Sequence, residues 1–195
     1  LTNIVNGTSD QELIQRCLSG QRDCYGLLVE RYQHRLYHAL VHILGSSADA
    51  QDIAQDAFIQ ALEKLSTFRG QSAFYSWLFR IAMNGAVSFR RKTRRMSTSV
   101  DAVREQTGIE PADPRPSSEP THALDVSERQ RLVRQALGEL PEEFRTVLVL
   151  KEMDGMPYEQ IAEICECPVG TVRSRLHRAR LELRGKLTVL LRAEE

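Results

Sequence analysis

No stretch of this sequence stays apolar for the roughly 20 residues that a membrane-spanning helix needs. Apolar residues nevertheless make up 42 % of the chain, enough for ordinary cores. The opening segment, Leu1 to Asp10, has neither a basic stretch nor an apolar one, so it does not read as an export signal. A cytoplasmic protein is the expectation, with a few native residues preceding Leu1. There are only four cysteines, with Cys17 and Cys24 far in sequence from Cys165 and Cys167. No CxxC meets a second CxxC or an HxxxH at zinc spacing, and Cys165-Glu166-Cys167 is too tight and isolated for a metal knuckle. Free structural thiols are expected. No segment alternates with period two, which argues against sheet structure. Net charge is also missing, with 26 basic against 26 acidic residues.

That neutrality hides a sharp segregation. From Ser66 to Val100 there are seven basic residues (Arg69, Arg80, Arg90, Arg91, Lys92, Arg94, Arg95) and no acid. Thr171 to Arg192 holds seven more against one acid, Glu182. The balancing acids sit elsewhere, Asp49, Asp52, Asp56 and Glu63 in one stretch and Asp101 to Glu119 in another. Two basic blocks in a neutral chain point to two polyanion contacts, separated by surfaces for something else.

A length of 195 residues suits one large domain or two small ones. Ser9-Asp10 caps a short helix through Cys17. A longer helix is predicted over about Arg22 to Leu44, its stripe Tyr25, Leu28, Tyr32, Leu36, Leu40 and Ile43 stepping by threes and fours, until Gly45-Ser46-Ser47 breaks it. The next helix, about Asp49 to Leu65, is expected to bury Ala54, Ala57, Phe58, Ala61, Leu62 and Leu65. A loop around Arg69-Gly70 leads to a fourth, about Ala73 to Arg95. From Ser97 to Pro120 the composition turns to Pro, Ser, Asp and Glu, with Pro111, Pro114, Pro116 and Pro120 within ten residues, and reads as a linker. Helices resume near Asp125 (Val126, Leu132, Val133, Ala136, Leu137, Leu140), then Glu142 to Met153 after Pro141, Tyr158 to Ile164, and one from Pro168. The expected organisation is all-α, with a first helical domain over 1–96, a linker over 97–121 and a second helical domain over 122–195.

The segment Tyr158 to Arg180 carries a helix-turn-helix pattern. Ile161 and Ala162 form the inner face of its first helix, Cys165 and Cys167 flank the turn, and Pro168 suits a first helical position, where no N–H is needed. The second helix buries Val169, Val172, Leu176, Ala179 and Leu183. Thr171, Ser174, Arg175 and Arg178 then share an exposed face, with Arg173, His177 and Arg180 beside it. Such a face reaches base edges, and arginine pairs bidentately with guanine. Glu166 stands in the turn where many such motifs place Gly.

Six of the twelve aromatics (Phe68, Phe74, Tyr75, Trp77, Phe79, Phe89) crowd into the basic stretch after Thr67. Flat rings beside cations are what unstacked bases and phosphates require. Phe74, Leu78 and Ile81 are expected in the core, but six aromatics exceed what one stripe can bury. Trp77 either stacks on a base or braces the loop, and bracing is the preferred reading. Upstream, Asp52, Gln55, Asp56 and Ile59 share an outward face. Charges there are ordinarily just solvated, but an exposed Ile between acids suggests a protein partner. His34, His38 and His42 recur on one helix face. They span about 12 Å, too far to share one ion, and a two-ligand site stays open.

The order of these features resembles the extracytoplasmic-function (ECF) sigma factors of the sigma-70 family. The resemblance lies in Leu28-Val-Glu-Arg-Tyr-Gln-His, Asp52-Ile-Ala-Gln-Asp-Ala-Phe, Phe68-Arg-Gly, Trp77-Leu-Phe-Arg-Ile-Ala, and Leu140-Pro-Glu through Arg180. The first groups resemble sigma region two and the last region four, with regions one and three absent, the ECF hallmark. The resemblance implies a non-enzymatic initiation factor without cofactor or metal that binds core RNA polymerase at its clamp coiled coil and flap. Asp52, Gln55, Asp56 and Ile59 would dock on the clamp. Phe68, Arg69, Gly70, Tyr75, Trp77, Arg80 and Asn84 would capture the melted minus-ten strand. Pro168, Thr171, Arg173, Ser174, Arg175, His177 and Arg178 would read the minus-thirty-five duplex. An anti-sigma factor, often membrane-anchored, is the further partner implied. From the residues alone two other readings stay open: a helix-turn-helix regulator acting without polymerase, its first domain sensing a ligand or dimerising, and a metal-dependent enzyme using the histidine row.

Overall fold

A computed structural model describes the backbone of residues 7–97 and 120–193 and the side chains of residues 7–87 and 128–192. The described residues are helical throughout, without strands. The proline-rich linker from 98 to 119, the side chains of Phe89, Arg90, Arg91, Lys92, Arg94 and Arg95, and that of Val126 lie outside this range.

Local chemistry sets the helix ends in the first half. Ser9 caps α1 (Asp10–Leu18), its Oγ accepting the Glu12 N–H at 3.3 Å. Ser9 and Glu12 have the spacing of a capping box. The second helix, α2 (Asp23–Leu44), ends at Gly45, whose left-handed φ of 74° lets its N–H return to the Val41 carbonyl at 2.8 Å. Ser46 then caps α3 (Ser47–Glu63) through the Asp49 N–H at 3.2 Å. A 3-10 turn, Leu65–Thr67, leads into the loop before α4 (Phe74–Ser97).

Packing follows the periodicity with two exceptions. In α2, Tyr25, Leu28, Leu36, Leu40 and Ile43 are buried and Tyr32 is half-buried. The third helix buries Ala50, Ala54, Ala57 and Ala61, and this small-residue row lets it lie close to both α2 and α4. The Tyr25 hydroxyl donates to the Phe58 carbonyl at 2.5 Å, fixing α2 against α3. Leu62, expected inside, is 47 % exposed. It lies three residues beyond Ile59, on the outward side of α3. Val133, also expected inside, lies on the open side of its helix and is exposed.

The second half begins earlier than the periodicity suggests. The fifth helix, α5 (Pro120–Gly138), starts five residues before Asp125, with Pro120 at its first position, where a missing N–H costs nothing. The stretch expected as one helix to Met153 is α6 (Glu142–Leu148) followed by a π-helical turn, Val149–Met153. There the Asp154 N–H reaches back to Val149 at 3.0 Å and that of Met156 to Leu150 at 2.9 Å. Gly155, at φ 69°, turns the chain towards α7 (Tyr158–Ile164) and α8 (Val169–Ala193).

The two halves pack on each other. The seventh helix lies against α4, and α2 meets the π turn, α5 and α6. Buried residues from both halves (Leu36, Phe74 and Phe79 with Val149, Leu150, Met156 and Ile161) belong to one continuous cluster. A smaller cluster of Leu137, Leu140, Phe144, Leu148 and Ala179 closes α5, α6 and α8. Polar ties cross the seam. Arg145 donates from Nη1 to the Ile43 carbonyl at 3.0 Å, in the last turn of α2, where carbonyls lack helical partners. Arg35 of α2 donates from Nε to Oδ1 of Asp154 at 2.7 Å and from Nη2 to the Asp154 carbonyl at 3.1 Å.

His42 sits in the same seam, half-buried, with its Nδ1 buried and without a hydrogen-bond partner. Burial first, then the neighbouring His38 and Arg134, holds its imidazole below the ordinary 6.5. A base depressed in the folded state binds fewer protons there than when unfolded. Its contribution to stability is therefore fully present above pH 6.5 and lost as pH falls through the depressed value. The thermal midpoint of the wild type should fall more steeply from pH 7 to pH 5 than that of His42→Gln. Parallel curves would contradict this.

Candidate nucleic-acid interface

The carboxy-terminal site is built on a turn that the sequence encodes unusually. Glu166 follows α7 with φ 48°, the left-handed conformation usually left to Gly. The Cys167 N–H bonds back to the Ala162 carbonyl at 3.1 Å, which closes a Schellman motif around it. Pro168 precedes the first helical residue of α8 rather than occupying it, and its carbonyl accepts from Thr171 at 2.8 Å and Val172 at 3.2 Å. Val172, Leu176 and Ala179 are buried as expected, while Val169, Leu183 and Ala162 are half-buried. Cys165 and Cys167 are half-buried free thiols, and burial pushes the Cys165 thiol up to about 11.

The expected exposed face of α8 is divided. Arg173, Ser174, His177 and Arg178 are exposed, but Thr171 and Arg175 are half-buried. Arg175 is held by Glu143 at 2.7 Å and by the Cys167 sulfur at 3.8 Å. Arg180 is turned aside by Glu152, which accepts from its Nε at 3.0 Å and Nη2 at 2.5 Å. Arg173 lies 5.8 Å from the Tyr158 ring centroid. The side chains directed outward from the first three turns are therefore Arg173, Ser174, His177 and Arg178. Glu143 and Glu152, which aim two of the arginines, went unnoticed in the sequence because they lie 32 and 28 positions from their partners.

In the amino-terminal half, Gly70 has φ 68°, and a Cβ there would meet Gln11 at 3.6 Å. Glycine is thus required by the turn itself. Arg69 and Gly70 are exposed, with Asn84 exposed on α4 and Arg80 half-buried. The five described aromatics of this stretch are not in surplus. Phe74, Tyr75 and Phe79 are buried, and Phe68 and Trp77 are half-buried. Trp77 packs at 5.2 Å from Phe68 and 5.8 Å from Phe74, against the base of the loop. Tyr75 is stacked on Tyr32 at 5.3 Å, lies under Arg35, whose guanidinium is 4.1 Å from its ring centre, and is 3 % exposed. The argument that one stripe cannot bury so many rings is corrected by the second half, which covers another face of α4.

Asp52, Gln55, Asp56 and Ile59 are all exposed on one face of α3, and Leu62 extends it. Asp52, Gln55 and Asp56 form one wall of a groove whose other wall includes Ile81 and Gly85 of α4. Among the described residues, no group of three or more His, Cys, Asp or Glu side chains is arranged to hold a metal ion.

Comparison with known proteins bears on what these surfaces serve. The family profile described as Sigma-70 region 2 matches residues 28–96, and that described as Sigma-70, region 4 matches residues 130–183. The chain is 40 % identical over 185 residues to the RNA polymerase sigma-H factor of Pseudomonas aeruginosa, covering 94 % of this chain and 96 % of that protein. The chain belongs to the ECF sigma factors. It is also 40 % identical over 186 residues to the ECF RNA polymerase sigma-E factor of Escherichia coli K12, covering 94 % of this chain and 97 % of that one. Among solved structures it resembles the sigma factor RpoE in complex with the anti-sigma factor NepR from Bartonella quintana, with TM-score 0.70 and 27 % identity over 85 % of this chain and 97 % of that one. It also resembles CnrH in complex with the cytosolic domain of CnrY, with TM-score 0.65 and 26 % identity over 95 % and 99 %. An ECF sigma factor directs promoter-specific initiation with core RNA polymerase, which sets aside the regulator acting without it. Sigma factors are DNA-binding initiation factors, not enzymes.

The strained turn of this sigma factor gives a direct test. Replacing Glu166 with Gly should relieve the left-handed penalty and stabilise the protein by about 1 kcal/mol. That corresponds to a rise of about 2–4 °C in thermal midpoint for a chain of this size. An unchanged or lowered midpoint would show that the Glu166 side chain compensates for its backbone.

Proposed function

We propose that this sigma factor divides promoter recognition between its two halves, with a domain boundary near residues 96 to 122. The face of Asp52, Gln55, Asp56, Ile59 and Leu62 docks on the clamp coiled coil of core polymerase, while the second half contacts the flap. The loop and helix carrying Phe68, Arg69, Gly70, Tyr75, Trp77, Arg80 and Asn84 capture the melted minus-ten strand. The helix after Pro168 reads the minus-thirty-five duplex. Arg173, Ser174, His177 and Arg178 reach the groove, and Pro168, Thr171 and Arg175 set its approach. The observation that carries this reading is the pairing, in one chain, of an outward basic helix-turn-helix face with an exposed Arg69-Gly70 loop and an exposed Asn84 on the helix that follows it.

The same reading places the protein in the cytoplasm with its polymerase. Among the described residues no helix is long and apolar enough to cross a membrane. The two solved relatives, one bound to NepR and the other to the cytosolic domain of CnrY, support inhibition by an anti-sigma protein. We assign this chain such a partner, anchored in the membrane with its inhibitory part in the cytosol.

Core docking is tested by Asp52→Lys combined with Asp56→Lys. Both carboxylates are exposed, so circular dichroism should be unchanged while affinity for core polymerase falls at least tenfold. Wild-type affinity would remove the assignment of that face. Strand capture is tested with Arg69→Ala and Asn84→Ala. Both should slow open-complex formation on linear duplex while sparing core binding, and a pre-melted downstream element should restore part of the rate. Opening at the parental rate, followed by permanganate reactivity of unpaired thymines, would contradict the role of this loop and helix.

A further inference from the structure

The turn of the helix-turn-helix holds a chemical feature that promoter reading does not use, two thiols one residue apart. Cys165 and Cys167 are both free and half-buried, on either side of the exposed Glu166. Cα atoms two residues apart lie within about 7 Å even in an extended chain, and this chain is not extended. Cys165 ends α7 at φ −83° and ψ 0°, and Glu166 takes the left-handed φ of 48°. These two conformations fold the chain back, with the Cys167 N–H on the Ala162 carbonyl at 3.1 Å. Disulfides form at Cα separations of about 4.4–6.8 Å, so the turn brings the two cysteines within reach of each other. Their surroundings differ. Burial first, then the Cys167 charge, pushes the Cys165 thiol up to about 11. Cys167 faces Arg175, whose Nη1 donates to its sulfur at 3.8 Å, and it stands just before Pro168 and the N-terminus of α8. A cation and a helix N-terminus beside a partly exposed sulfur are the setting in which cysteines act as nucleophiles.

We propose that Cys165 and Cys167 form an oxidation site, at which hydrogen peroxide closes an intramolecular disulfide that disengages the duplex-reading helix. The Cys167 sulfur attacks one peroxide oxygen. An S–O bond forms, the O–O bond breaks, and the departing hydroxide takes the Cys167 proton and leaves as water. Cys165 then attacks the sulfur of the resulting sulfenic acid. The S–S bond forms, the S–O bond breaks, and hydroxide leaves with the Cys165 proton as a second water. Two electrons have passed from the two sulfurs to the peroxide. Cys165 suits the second role, since a sulfenic acid one residue away is an electrophile that needs no diffusion to reach. Closing the ring draws the Cys167 sulfur away from Arg175 and leaves that guanidinium to Glu143 alone. The movement passes into α8 through Pro168, whose carbonyl accepts from Thr171 at 2.8 Å and Val172 at 3.2 Å. The exposed face of Arg173, Ser174, His177 and Arg178 is thereby turned from its groove. This effect on the upstream duplex rests on the proposed division of promoter recognition, whereas the disulfide itself does not.

The test oxidises the full-length free protein with hydrogen peroxide, removes the excess with catalase, and then adds reduced core polymerase. Tryptic digestion separates the cysteines, because Cys165 and Cys167 share peptide 152–173 while Cys17 and Cys24 fall in 17–22 and 23–31. Mass spectrometry without reductant should find peptide 152–173 lighter by two hydrogens, and this mapping on the wild type needs no variant. The oxidised holoenzyme should bind the upstream duplex about tenfold more weakly than the reduced one, as the loss of one base contact would. Dithiothreitol should restore both. In Cys165→Ser the ring cannot close, and dimedone should trap a sulfenic acid on Cys167. Cys167→Ser should bind duplex equally before and after peroxide. An unchanged peptide 152–173, or a bridge to Cys17, to Cys24 or to a second chain, overturns the site. A disulfide that forms without weakening duplex binding overturns its effect on α8. A reduced holoenzyme that selects no promoter sequence would instead refute the division of promoter recognition, and it would leave the mapped disulfide standing.

Discussion

The structure turns on the contact between the π turn and the α2–α4 face, where Arg35 meets Asp154 above Tyr75. Arg145 on the Ile43 carbonyl and α7 against α4 join the halves elsewhere along the same seam. The π turn breaks the regular ladder after α6, and the extra residue per turn brings Asp154 back towards α2. Such departures from α geometry are uncommon and tend to sit where a protein works. Val149 and Leu150 of this turn and Met156 just after it belong to the same buried cluster as Leu36, Phe74 and Phe79.

Neutrality of the whole chain results from acids and bases arranged for different partners. On α8, Glu143 and Glu152 hold Arg175 and Arg180 aside, leaving Arg173 and Arg178 directed outward. On α3, Asp52 and Asp56 stand exposed beside Ile59 and Leu62, a mixed acidic and apolar face suited to a protein rather than to nucleic acid. Surface pairs such as Arg180 with Glu152 add little stability. Their effect is positional, deciding which cations remain available to a polyanion.

Much of the fold was legible because its signals are local. The cap at Ser9, the break at Gly45 to Ser47, and the step of threes and fours along α2 need only neighbouring residues to be read. The helix-turn-helix was equally plain, down to the odd placement of Glu166. The failures share one cause. Leu62, expected inside on its hydrophobicity, lies three residues beyond Ile59 on the outward side of α3, where nothing packs over it. The aromatics of α4 looked too numerous for one stripe, since a second buried face exists only when α7 arrives from some 80 residues away. Arg35 and Asp154 are 119 positions apart, and the π turn that joins them leaves no periodic signature in Glu142 to Met153. Contacts between domains depend on geometry that a linear pattern does not carry.

The central claim is that the outward face of α8 reads the upstream duplex base by base while the first half holds the melted strand. The most direct measurement is promoter binding by the holoenzyme across single-base variants of the upstream element, wild type against Arg178→Ala. A bidentate guanine contact predicts a loss of about 1–3 kcal/mol confined to one base position. A loss that is uniform across sequences, or no loss, would contradict the account.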